Sequence, residues 1–147
     1  MRSPQPLKLE NTLRTHRIDL DLDEPRYEEA MKYLCMIYFS EKNLDALSQR
    51  EYDALVAEAL AYDEVLRKSG HYVVSNALQS VKNATSLRIE AGKVSITDGP
   101  FAETKEQLGG YILIDAKDLD EAIQLASKIP SARLGCVELR PIKDLTA

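Results

Sequence analysis

Residues 97–111, TDGPFAETKEQLGGY, concentrate the side chains best placed to do chemistry. Asp98 ends an apolar-alternating run just before a Gly-Pro pair, where a carboxylate can project into a cleft. There it can serve as a general acid–base, or it can close an Asx-type turn by accepting backbone N–H bonds two or three residues on. The turn role carries more weight, since Gly99 and Pro100 are conformational residues that build such a turn. Glu103 and Lys105 offer charges for a polar ligand, against the plainer reading of a solvated turn. Phe101 reads as a core plug rather than a stacking platform. Arg88 can bind a carboxylate ligand with its fork, or pair with Asp98 or Glu138. With Tyr111, these residues define an expected cleft at the loop, with Asp98 as the catalytic candidate and Arg88, Glu103, Lys105 and Tyr111 as ligand-binding candidates. His71, the only histidine after residue 30, opens a strand and is expected at the surface; a His71–Asp98 dyad is the weakest of the catalytic arrangements. No nucleophile elbow, phosphate-binding loop or H-E-x-x-H pattern is present, so no cofactor and no metal site are expected.

The rest of the chain bounds the function classes. Its 147 residues suit one core, and 44% hydrophobic with 29% charged residues is an ordinary globular balance. The formal charge is −5 with no basic block, which disfavours direct nucleic-acid binding. There is no long apolar stretch for a membrane span and no apolar leader, so a cytoplasmic protein is expected. Cys35 and Cys136 both sit in apolar runs and are expected reduced and buried.

The elements that must position the loop follow from periodicity. Residues 1–30 hold a short alternation at Ile18, Leu20 and Leu22 but read mainly as a flexible extension; the main domain is 31–147. KYLCMIYF is a near-continuous apolar strand, followed by a loop leading into a helix over 49–69. Ser48 and Glu51 form a capping box. Tyr52, Leu55, Val56, Ala59, Tyr62 and Leu66 give this helix one apolar face, and Gly70 ends it. HYVVSNAL is a strand, TSLRI and KVSIT a hairpin, and YILIDA a buried strand. DLDEAIQLASKI is a helix capped by Asp118, with Leu119, Ala122, Ile123 and Ala126 facing inward, and GCVELRPI is the last strand. Two strand–helix–strand units around a hairpin predict a ferredoxin-like α+β sheet with helices on one face. A second subunit is the natural cover for the other face, so a homodimer stacked sheet to sheet is expected.

The segments DGPFAETKEQLGGY (98–111), MKYLCMIY (31–38), NAL (76–78), IPSA (129–132) and VELRPI (137–142) resemble the YCII-related, or DGPF-domain, family. The resemblance covers about residues 31–143. It implies a dimeric α+β barrel but no settled activity. Some relatives are linked to extracytoplasmic-function sigma factors, which implies a transcription-machinery partner as one possibility. Others are enzymes or proposed enzymes built on a histidine–aspartate pair, from which this chain departs: its first long helix has no histidine, with Tyr62 near that place, and Asn76 stands where many members have a carboxylate. The expected function is therefore a small-molecule-binding or regulatory module with its cleft at the DGPF loop. The alternatives are a cofactor-independent enzyme using Asp98 as acid–base, or a transcription-associated accessory protein.

Overall fold

The computed structural model describes residues 30–146, so the expectations for the N-terminal extension lie outside the described residues. Strand β1 (Met31–Phe39) leads through a short helix α1 (Glu41–Asp45) to the long helix α2 (Gln49–Lys68) and strand β2 (Tyr72–Ala77). The hairpin β3 (Thr85–Glu90) and β4 (Lys93–Asp98) follows, then β5 (Gln107–Ala116), helix α3 (Leu119–Ala126) and β6 (Gly135–Pro141). The main sheet has the order β2-β5-β1-β6, while β3 and β4 pair only with each other as a separate two-stranded sheet. The pairings β1–β5, β1–β6 and β2–β5 are all antiparallel. The domain is thus α+β, with an order compatible with a ferredoxin-like fold.

Strict alternation divides β1. Tyr33, Cys35, Ile37 and Phe39 are buried beneath the helices, and Lys32, Leu34, Met36 and Tyr38 point to the opposite face. β5 repeats the pattern, burying Ile112, Ile114 and Ala116. Leu66 of α2, Ala122 and Ala126 of α3, and Ile129 close the core from above. The larger aliphatic side chains among these, such as Leu66 and Ile114, contribute about 1.5–3 kcal/mol each when fully buried. The Tyr62 hydroxyl donates to the Leu125 carbonyl at 2.6 Å and ties the two helices together.

The expected capping box is present: Ser48 Oγ accepts from the Glu51 backbone N–H, and Glu51 accepts from that of Ser48. Several expectations need correction. The segment before α2 is partly helical. Helix α3 ends at Ala126, after which the chain turns to seat Ile129 in the core ahead of Pro130. Leu119 and Ile123 are about half exposed, because the small Ala122 and Ala126 let the helix approach the sheet on a narrower stripe. Cys136 is exposed rather than buried. It pairs with Tyr38, one face away from Cys35, so adjacency of the first and last strands does not bring the two thiols together.

Candidate functional site

The loop residues singled out from the sequence do not converge in one cleft of the single chain. In the hairpin register Thr85 pairs with Asp98, Leu87 with Ile96 and Ile89 with Val94, while Arg88 pairs with Ser95. Paired residues share a face. Asp98 therefore lies on the aliphatic face of the hairpin and Arg88 on the other, which excludes an Arg88–Asp98 pair within one hairpin. Arg88 borders a small depression of about 220 Å³ with Ser86, Thr97, Pro100 and Phe101. Glu103 and Lys105 are exposed in the following loop. Tyr111 belongs to the main sheet, on the face away from the helices, where its hydroxyl accepts from Asn76 Nδ2 at 3.0 Å; both residues also border the concavity beside α2.

The turn is bent by Gly99 and not closed as an Asx turn, since the Asp98 carboxylate accepts no hydrogen bond among the described residues. Gly99 has φ +99°, a conformation closed to most side chains, and its N–H donates to the Ala84 carbonyl at 2.7 Å. Phe101 is no core plug: it is 83% exposed, because the turn carries it away from the main sheet. His71 is half-buried and engaged elsewhere. Its Nδ1 lies 2.7 Å from Ser69 Oγ and its Nε2 3.0 Å from Glu121 Oε1, a bridge from the end of α2 to the start of α3 rather than a dyad with Asp98.

A more apolar concavity lies elsewhere, between the first turns of α2 and the β2–β5 side of the sheet. It encloses about 380 Å³. Its helical wall is Tyr52, Val56, Ala59 and Leu60, and its floor is Ile37, Phe39 and Ile112. The apolar stripe of α2 is thus only partly spent on the core: Leu66 is buried, whereas Tyr52 and Val56 remain open and line the cleft. A neighbouring depression shares Phe39, Leu44, Tyr52 and Leu78 with this cleft and extends it toward Glu41, Ser80 and Lys82. Glu41 is already engaged there, accepting from Ser80 Oγ and from the Val81 backbone N–H, both at 2.8 Å.

Gly109 and Gly110 make this floor possible. The β1–β5 register shifts between Ile37 and Tyr38, leaving Gly109 as the extra residue of a bulge. A Cβ on Gly109 would stand 2.1 Å from Cζ of Phe39, so the ring occupies the space a side chain would need.

One polar chain enters the apolar wall. Ser75 Oγ donates to Asp63 Oδ2 at 2.7 Å, and Tyr72 Oη lies 2.9 Å from Ser75 Oγ. Since the serine hydrogen goes to the carboxylate, the phenol must supply its own, giving Tyr72→Ser75→Asp63. The Arg67 guanidinium stacks on the Tyr72 ring at 4.2 Å and orients it. Asp63 Oδ1 accepts no hydrogen bond from the described residues. Burial pushes the Tyr62 phenol up, with Cys35 a lesser cause, so it stays protonated and donating.

Sequence reading missed this trio, although a signal was there. The stripe Tyr52, Val56, Ala59, Leu66 passes through position 63, where a carboxylate interrupts it. Ser75 likewise takes an inward position of β2, paired with the buried Ile112. No three His, Cys, Asp or Glu residues among those described gather as a metal-binding group.

The fold and cleft define an α+β domain with helices on one side of an antiparallel sheet and a concave, mostly apolar site under the longer helix. The model of the YCII-related domain matches residues 31–146. An uncharacterized protein of Rhizobium meliloti (strain 1021) is 35% identical over 114 residues, spanning 76% of this chain and 92% of that protein. The chain belongs to the YCII-related domain family. No helix among the described residues is long and apolar enough to cross a membrane.

Proposed function

We propose that this chain is a small-molecule-binding module, working as a homodimer, whose ligand occupies the cleft between α2 and the β2–β5 side of the sheet rather than the DGPF loop. The observation that carries the reading is a cleft of about 380 Å³ whose apolar walls contain a single hydrogen-bonded carboxylate, Asp63. That size and mix suit a small organic ligand: apolar walls supply affinity and one polar group fixes orientation. The ligand class is a largely apolar, ring-sized molecule bearing one amine or hydroxyl that donates to Asp63. The dimer reading is supported by the sheet face away from the helices, where Leu34, Met36 and Leu113 stay partly exposed. A sheet meant to face water carries polar residues at such positions.

A thermal-shift screen of small aromatic and aliphatic amines and alcohols tests this. At 100-fold excess over its dissociation constant a ligand adds about 2.7 kcal/mol of stability. The shift is expected in the wild type and in Asp98→Asn, and is expected to vanish in Ala59→Phe, which fills the cleft. A shift that survives Ala59→Phe and disappears in Asp98→Asn would return the site to the loop. A second reading, a cofactor-independent enzyme, is favoured by one observation: Asp63 is a carboxylate with an uncommitted oxygen beside an apolar cleft, the setting of a general base. Turnover lost in Asp63→Asn with ligand binding retained would establish it.

A further inference from the structure

We infer that the β3–β4 hairpin is an intersubunit arm whose aliphatic face docks on a second copy of this chain. The inference rests on the homodimer reading above and assigns the DGPF turn to holding the arm. Leu87, Ile89, Val94 and Ile96 share one hairpin face and are 60%, 68%, 60% and 68% exposed. The two strands bond only to each other. A two-stranded ribbon is marginal in water unless its apolar face is packed against something. Nothing in the described chain does so, and these four side chains are absent from the core.

The area fits a dimer. Four aliphatic side chains each leaving roughly 100 Å² open make a patch of about 400 Å². That is the size at which an exposed apolar patch on a monomer is functional, and about half of the ~800 Å² per partner of a standard interface. The helix-free sheet face offers the remainder. A two-fold axis uses each patch twice, so a hairpin face and a sheet face on one chain satisfy both copies. The charges agree. Asp98 sits on the aliphatic hairpin face, paired in register with Thr85. Arg140 sits on the helix-free sheet face, in register with Leu34. Neither makes an ion pair among the described residues, and their signs are opposite. Gly99 and Pro100 then serve to end the arm sharply and return the chain to β5.

Sedimentation velocity on the full chain over a range of concentrations tests the arm, using wild type, the Ile89→Lys/Ile96→Lys double variant and Met36→Lys on the sheet face. The hairpin variant is expected to raise the dimer dissociation constant at least about 100-fold. Its far-ultraviolet circular dichroism melt is expected to keep the core transition, since the altered residues lie outside the core. An unchanged dissociation constant in the hairpin variant, with Met36→Lys dissociated, overturns the arm and leaves the sheet-to-sheet dimer standing. A wild type that stays monomeric at all concentrations overturns both. Hydrogen exchange identifies the occupant: hairpin amides that lose protection on dilution support the second copy. Amides that lose it only when residues 1–29 are removed overturn the inference in favour of the chain's own N-terminal segment.

Discussion

Replacing Ser75 by alanine removes one hydroxyl and cuts the chain from Tyr72 to Asp63 at its middle. The bond at stake is 2.7 Å long and its acceptor is a carboxylate. Hydrogen bonds to charged groups are worth about 1.5–3 kcal/mol net. Ser75 and Asp63 are only half-buried, so water recovers part of the loss. The expected cost is about 1–2 kcal/mol, with the midpoint of thermal unfolding falling by roughly 4–8 °C for a domain of this size. A double-mutant cycle isolates the bond: Ser75→Ala, Asp63→Ala and the pair, each followed by urea unfolding. A coupling of about 1 kcal/mol is expected, because the second substitution has nothing left to break. A coupling below about 0.3 kcal/mol, within ordinary additivity, would refute the claim that the serine holds the carboxylate. The same variants report on function: the cleft reading requires Ser75→Ala to weaken the ligand-induced shift beyond what the lost stability explains.

Two further outcomes concern the core beneath the cleft. Burial pushes the Cys35 thiol up from 9.0 to about 11. The folded state then holds a proton that the unfolded chain releases, so stability is level below about pH 9 and falls as pH rises from 9 toward 11. The loss at pH 10.5 is about 2 kcal/mol. Urea unfolding of wild type and Cys35→Ala should diverge in slope over that window while agreeing in shape below it; parallel curves would show that Cys35 is not shielded. Exposed Cys136 should meanwhile be the only thiol that thiol reagents label quickly in the folded protein. Gly109→Ala drives a methyl into the Phe39 ring. Overpacking of this kind costs about 1–3 kcal/mol, and Phe39→Leu in the same chain should return part of it, measured as coupling in urea unfolding.

The family and the main elements were legible in the sequence because they depend on local order. Near-continuous apolar runs placed β1 and β5, the 3.6-residue stripe placed α2, and Ser48, Glu51 and Asp118 marked helix starts through bonds only three residues long. The DGPF segment was legible as a turn for the same reason, since Gly99 and Pro100 impose their conformations without help. Whether its charged residues line one cleft was not. Whether Asp98 and Arg88 share a surface depends on hairpin register, and pairing Arg88 with Ser95 puts them on opposite faces. Phe101 and Cys136 misled because apolar character predicts burial only where another element arrives to cover it. The cleft is the clearest case. Asp63 and Ser75 are 12 residues apart and belong to different elements, and only the approach of α2 to β2 brings them to 2.7 Å. The sequence by itself determined which segments are strands, helices and turns, because those choices are settled by neighbours along the chain. Tertiary structure alone decided which part of the α2 stripe is covered and which is left open, and so where a site can be, because that depends on packing between residues far apart in sequence.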